Sequence, residues 1–200
     1  MPRIEPVPTD QLTPQARAML EEGMAIGAYN DNTGQIPPSM RTLAWSTSTL
    51  KTAHARTVTD WRSGLLDPKL KELIRIRSAQ VNGCANCAGA IKEDGVDGEA
   101  VACMIDMDFA AFTPREAAAL RYVTRFGMDH HSVGDDDIRA LQAEFSPSEL
   151  VELIYYAGTM LGLHRMFHVL QVIEDGEPLI RFDPALVDAP MGAAQKIAAE

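Results

Sequence analysis

Cysteine is scarce in this chain: three residues in 200, an odd and sparse set unlike the even disulfide frameworks of small secreted proteins. Basic clusters are missing as well. The formal net charge is −10, and no Lys or Arg cluster offsets it locally, so phosphate backbones and anionic lipid are repelled and neither nucleic acid nor a membrane is an expected partner. Uninterrupted apolar runs are also absent, Glu152 breaking the stretch that ends at Gly162, so no segment is expected to span a bilayer. Residues 1–10 hold prolines and acids where a secretory leader needs a basic start and an apolar run, which makes a cytoplasmic location the expectation. Alternating β-branched residues, the mark of a half-buried sheet, do not occur either.

What is present is helix punctuation. Thr13-Pro14, Asp67-Pro68, Thr113-Pro114 and Ser146-Pro147 each place a capping side chain before a proline at the first helical position. Glu116 and Glu149, three residues after Thr113 and Ser146, complete two capping boxes. Leu70, Leu73, Ile74 and Val81 recur at helical period, as do Ala117, Leu120 and Val123. A long helix is predicted from Ser39 to about Trp61 and a short one from Asp135 to Phe145, with stops at Gly64, Gly83, Gly95 and Gly127. The fold class is therefore all-α, about seven or eight helices in one compact domain over residues 1–173. The Gly- and Pro-broken residues 174–200 read as an irregular C-terminal arm that packs on a neighbouring subunit. Pro68–Ile74 and Pro147–Ile154 share a phrase, a weak internal repeat that sets His164 opposite Cys84.

Chemistry enters with Cys84 and Cys87 in Asn82-Gly-Cys-Ala-Asn-Cys87. Two thiols three residues apart on a helix lie about 5–6 Å from each other, close enough to form a reversible disulfide. Asn82-Gly83 reads as a turn, which puts Cys84 at a helix start, where unpaired N–H groups favour thiolate over thiol. An incidental buried pair or half of a metal site are the competing readings. Cys103 is expected to be a core thiol. Glu72, on pattern alone, is a solvated helix carboxylate paired with Arg75 at i+3.

Glu72 stands twelve residues before Cys84, and with Asn-Gly-Cys-x-x-Cys this segment, residues 66–95, resembles the alkyl hydroperoxidase D-like branch of the carboxymuconolactone decarboxylase family. The resemblance implies an all-helical alkyl hydroperoxidase D-like fold and a dithiol peroxidase, or a peroxidase-related oxidoreductase, acting on alkyl hydroperoxides. It implies Cys87 as the attacking thiol, Cys84 as the resolving thiol and Glu72 as the base that starts a proton relay. It further implies an unidentified dithiol reductant and a homo-oligomer, trimer or hexamer. No cofactor or metal is assigned. Helix-terminus electrostatics alone favour Cys84 as the more acidic thiol, so the two lines of reasoning differ on which sulfur attacks.

The chain departs from the family where imidazoles usually stand: Asn86 and Ile91 occupy those positions. His164 and His168, at i and i+4, are candidates to replace them, or to join the two cysteines in a zinc site, or to serve a subunit interface. His54 is a further relay candidate, and His130-His131 reads as a solvated helix end. Trp45, Trp61, Tyr155 and Tyr156 are core or interface aromatics, or line a substrate entrance. The alternatives to a peroxidase are a decarboxylase-like enzyme of aromatic catabolism and a disulfide carrier or redox sensor without peroxide turnover.

Overall fold

A computed structural model describes residues 1–29 and 34–172, the side chains of residues 60–62 and 86 excepted. The arm expected over 174–200, and the side chains of Trp61 and Asn86, lie outside the described residues. Those residues hold nine α-helices, short 3₁₀ turns and no strand, in one compact domain, which bears out the all-α expectation. The helices are α1 (Pro14–Ala25), α2 (Pro38–Leu43), α3 (Thr47–Arg62), α4 (Pro68–Val81), α5 (Ala85–Gly89), α6 (Gly98–Ile105), α7 (Pro114–Met128), α8 (Asp135–Gln142) and α9 (Pro147–Leu170). None of the described helices is long and apolar enough to cross a membrane.

All four cap-proline pairs open helices, each cap side chain accepting a backbone N–H of the first turn. Thr113 and Ser146 form complete capping boxes with Glu116 and Glu149. The Ser146 hydroxyl and backbone N–H, with the Arg115 guanidinium, hold the Glu149 carboxyl down at about 2. The two phrases of the weak repeat open α4 and α9, which pack against each other.

Several helix boundaries differ from expectation: α5 closes at Gly89, before the stop expected at Gly95, and α8 closes at Gln142 rather than Phe145. The single helix expected from Ser39 to Trp61 is two, α2 and α3, because Ser46 takes the N-cap position of α3 and its side chain accepts the Thr49 N–H. In a run of Ser and Thr, side-chain oxygens compete with the helical ladder, and here they break it. Gly127 does not stop α7, which continues to Met128. It is instead a close-approach point, since a Cβ there would lie 2.8 Å from both Leu161 Cδ2 and Val81 Cγ1.

Helix α4 is the axis of the fold. Every residue from Leu70 to Gln80 is buried, with α7, α9 and α5 packed around it. One core cluster joins α4 to α7, α8 and α9 through Ile74, Val123, Leu141 and Leu153. A second joins the N-terminal segment, α1, α2 and α3 to the end of α9 through Leu20, Leu50 and Phe167. A third sits between α4, α6 and α7 around Met104. A helix buried on all sides has no solvent face for its charges, so each must be met inside. Lys71 Nζ reaches the Ser63 carbonyl and Glu152. Arg77, 0 % exposed, donates to Thr124, Gln80 and the Met104 carbonyl, and its guanidinium lies over the Phe109 ring. Burial pushes Arg77 down to about 9.

Removing the Ser146 hydroxyl tests the capping argument. Ser146→Ala is expected to lower the free energy of urea unfolding by about 1 kcal/mol with an unchanged denaturant slope.

Candidate active site

Helix α4 ends in a turn whose hydrogen bonds explain Asn82-Gly83-Cys84. Gly83 has φ 73°, the left-handed conformation that glycine adopts without steric cost. Its N–H bonds the Gln80 carbonyl at 3.1 Å, and the Cys84 N–H bonds the Ala79 carbonyl at 2.9 Å. This pair of bonds is a Schellman C-cap, and the apolar contact that accompanies it is Cys84 on Ala79. Arg165 of α9 fixes the turn from outside, donating to Asn82 Oδ1 at 3.0 Å and to the Gly127 carbonyl.

Cys84 stands immediately before α5. The Ala88 N–H bonds its carbonyl at 2.9 Å, and its sulfur accepts the Cys87 N–H at 3.3 Å. Cys84 and Cys87 are joined as a disulfide, with Cα atoms 5.3 Å apart. The two sulfurs differ in access: Cys84 is 2 % exposed, whereas Cys87 is partly buried and lines a cavity of about 1000 Å³. That cavity is also bounded by Tyr29, Arg56, Arg75, Lys92, Tyr156 and His164, with Met40, Leu163 and Phe167 supplying apolar wall.

Glu72 is 0 % exposed, so the solvated carboxylate expected from pattern alone is corrected, although its pairing with Arg75 is present. A helix axis leaves no water for it, and Arg75 takes that place. Arg75 Nε and one terminal nitrogen donate to the two carboxylate oxygens at 2.7 and 2.8 Å. The Lys92 backbone N–H donates to Glu72 Oε1 at 2.7 Å. Arg75 in turn donates to the carbonyls of Cys87 and Ala90. The pair therefore clamps both ends of the thiol segment onto α4. Among the described residues no hydrogen bond joins the Glu72 carboxylate to either sulfur.

His164 lies in the wall of the same cavity, its Nδ1 2.9 Å from Ser78 Oγ on α4. Burial first, then the positive charges of Arg75 and Lys92, hold it down to about 3, so the ring is neutral at pH 7. His168 is exposed one turn later, and among the described residues no three His, Cys, Asp or Glu side chains gather as a metal would need. The four-ligand zinc arrangement is thus not assembled. His54 lies behind Tyr29, bonded to it and to Glu22. His130 and His131 stand exposed past the end of α7.

Of the aromatics, Tyr156 lines the cavity, while Tyr155 and Trp45 are exposed, Trp45 donating to the Glu5 carbonyl. Cys103 is half-buried rather than a core thiol, because α6 turns its neighbour Met104 inward instead. Tyr29, Lys92 and the cavity itself escape sequence reasoning, since each depends on segments far apart in the chain. Lys92 Nζ, for instance, reaches the Ala28 carbonyl at 2.8 Å.

With this geometry in place, residues 50–125 match the family model for the carboxymuconolactone decarboxylase family, a segment that contains Glu72, Arg75, Cys84 and Cys87. No curated protein matches the chain.

Two measurements test the site's electrostatics. Glu72→Gln leaves the Arg75 charge buried without its counterion and is expected to cost about 3–5 kcal/mol of stability in urea unfolding. His164 is neutral when folded but takes a proton in the unfolded chain below about pH 6.5. The unfolded state therefore binds more protons between about 6.5 and 3, and stability falls as pH drops through that window. His164→Gln is expected to remove roughly 2 kcal/mol of the loss seen between pH 7 and pH 5, read as the difference between the two proteins' unfolding curves.

Proposed function

We propose that the chain is a member of the carboxymuconolactone decarboxylase family, of its alkyl hydroperoxidase D-like branch, and a dithiol peroxidase for organic hydroperoxides. The observation that carries this reading is the asymmetry of the disulfide: one sulfur opens on a large, largely apolar cavity and the other is sealed behind it. An apolar wall suits an organic peroxide body, and the enclosing cations favour a thiolate over a thiol at Cys87.

In this mechanism the Cys87 thiolate attacks the terminal peroxide oxygen. A sulfur–oxygen bond forms as the oxygen–oxygen bond breaks, the alkoxide leaves and takes a proton to become the alcohol, and Cys87 is oxidised to the sulfenic acid. Cys84 then attacks the Cys87 sulfur and displaces hydroxide, which leaves as water, and the disulfide closes. An external dithiol reduces that disulfide before the next turnover.

Glu72 belongs to this site as the partner of Arg75. Its carboxylate oxygens already accept a bidentate guanidinium and the Lys92 backbone N–H. Its role in this reading is to hold Arg75, and through Arg75 the thiol segment. A homo-oligomer is part of the proposal, supported by the exposed Leu65, Val151 and Tyr155, which face solvent where Leu65 meets α9.

Reduced protein treated with one equivalent of an alkyl hydroperoxide is expected to lose two of its three thiols, Cys103 remaining. Cys84→Ser should stop at a sulfenic acid on Cys87 that dimedone traps, and Cys87→Ser should leave the peroxide unconsumed. An unchanged thiol count, or rapid exchange with a dithiol but no reaction with peroxide, returns the protein to the disulfide-carrier reading.

A further inference from the structure

The cavity that Cys87 lines also meets a chain of proton-bearing groups that the dithiol chemistry above leaves unused. Tyr29, at the end of the segment after α1, lines the cavity. Its hydroxyl lies 3.0 Å from His54 Nδ1, on α3. His54 Nε2 lies 3.1 Å from Glu22 Oε2, on α1, whose side chain is 59 % exposed. His54 itself is buried and does not reach the cavity wall. The order from cavity to solvent is thus hydroxyl, imidazole, carboxylate.

A carboxylate only accepts hydrogen bonds, so His54 Nε2 carries the hydrogen on the Glu22 side and Nδ1 is left as an acceptor. The Tyr29 O–H then donates to Nδ1, the Thr57 side chain also bonds the hydroxyl, and Tyr29 lines the cavity. This is the order of groups that activates a hydroxyl in carboxylate–imidazole–hydroxyl triads. The ring is held in place: a Cβ on Gly23 would fall 1.9 Å from Tyr29 Cε2, so α1 needs glycine there for the tyrosine to lie against it. Burial keeps the hydroxyl protonated, up at about 12, so Tyr29 carries a proton that it releases only when a partner supplies another. Lys92 joins this wall to the thiols, its backbone N–H on Glu72 and its Nζ on the carbonyl of Ala28, the residue before Tyr29.

We propose that Tyr29, backed by His54 and Glu22, is the proton relay of the Cys87 site, taking the place of the imidazoles that Asn86 and Ile91 do not provide. It rests on the peroxidase reading above. Through water in the cavity that both residues line, the Cys87 thiol proton passes to the Tyr29 oxygen as the Tyr29 proton passes to His54 Nδ1. The imidazolium is held by Glu22. When the oxygen–oxygen bond breaks, the chain runs in reverse, and Tyr29 hands a proton to the departing alkoxide. The sum is thiol plus hydroperoxide to sulfenic acid plus alcohol, with no proton gained or lost. Glu22 and Tyr29 both precede residues 50–125, so this relay is built mainly from the part of the chain outside the family match.

Leaving-group dependence tests it. The reduced wild type, Tyr29→Phe and Glu22→Gln are mixed with tert-butyl hydroperoxide, whose alkoxide needs a proton, and with peracetic acid, whose carboxylate does not; the readout is the rate of Cys87 oxidation. With tert-butyl hydroperoxide Tyr29→Phe is expected to slow oxidation about 10²-fold or more, the size of a lost general acid–base group, and Glu22→Gln by a smaller factor in the same direction. With peracetic acid both variants are expected to stay within about tenfold of wild type, since only the thiol proton is then at stake. Glu22 is a surface residue, so its variant reports on the relay whether or not Tyr29→Phe folds. Equal slowing with both oxidants, or no slowing with either, overturns the relay and leaves the peroxidase reading standing. A wild type inert to both oxidants overturns the peroxidase reading, and the relay with it.

Discussion

Everything at this site hangs from the buried ion pair of Glu72 and Arg75. Taking two charges out of water costs several kcal/mol per ion, and a pair recovers that only when geometry is good and the remaining donors are satisfied. Here they are. Arg75 spends two of its nitrogens on the carboxylate and also reaches the carbonyls of Cys87 and Ala90, while the free side of Glu72 takes the Lys92 N–H. The partners span residues 87–92, so the ion pair sets the path of the chain on leaving α5. Arg77, two residues on, faces the opposite side of α4 and shows what the alternative looks like: neutral oxygens and an aromatic face in place of a carboxylate, and a guanidinium pushed down by burial.

That fixed path decides between the two sulfurs. Cys84 has the electrostatic advantage, standing just before α5 with a backbone N–H on its sulfur. A terminus effect is worth about 0.3–1 kcal/mol, and α5 is only five residues long. Exclusion of substrate is a far larger effect, because a sulfur packed against Ala79 and Ala88 cannot be reached without opening the turn. On the proposed peroxidase reading, access favours Cys87 for attack and Cys84 for resolution. The Schellman turn is what makes this arrangement: it buries Cys84 as the apolar contact of its own helix cap and carries the chain round so that Cys87, one turn on, meets the cavity.

Local signals were legible in the sequence to the extent that they were local. The cap-proline pairs, the two capping boxes, the glycine turn at Gly83 and the reach between the two cysteines all depend on residues within four positions of one another, and all are present. The helix expected from Ser39 to Trp61 failed for a reason of the same range, the Ser and Thr oxygens around Ser46 competing with the backbone. Gly127 misled because a glycine that ends a helix and one that lets two helices touch read alike until the partners, Val81 and Leu161, are known. Glu72 was found through its spacing to the thiols, but its burial depended on α4 being enclosed on all sides, and periodicity showed only one apolar face. Tyr29 and Glu22 carry no mark at all, and His54 stood only as one relay candidate among several: they lie 25 and 32 residues apart in pairs, on segments that meet only when α1 packs on α3.

The separation of these two sets of groups has a physical logic. A thiol that must be deprotonated is helped by nearby cations, and Arg75 and Lys92 provide them beside Cys87. The same charges work against any imidazole placed among them: His164, in that company and buried, is held neutral down to about 3 and makes a weak proton acceptor. An imidazole that is to accept a proton needs a carboxylate behind it and distance from the guanidinium. His54 has that carboxylate, with Glu22 on its far nitrogen and Tyr29 between it and the cavity. In the proposed relay one side of the cavity stabilises the anion and the other moves the proton, and Lys92, bonded to Glu72 and to Ala28, links the two.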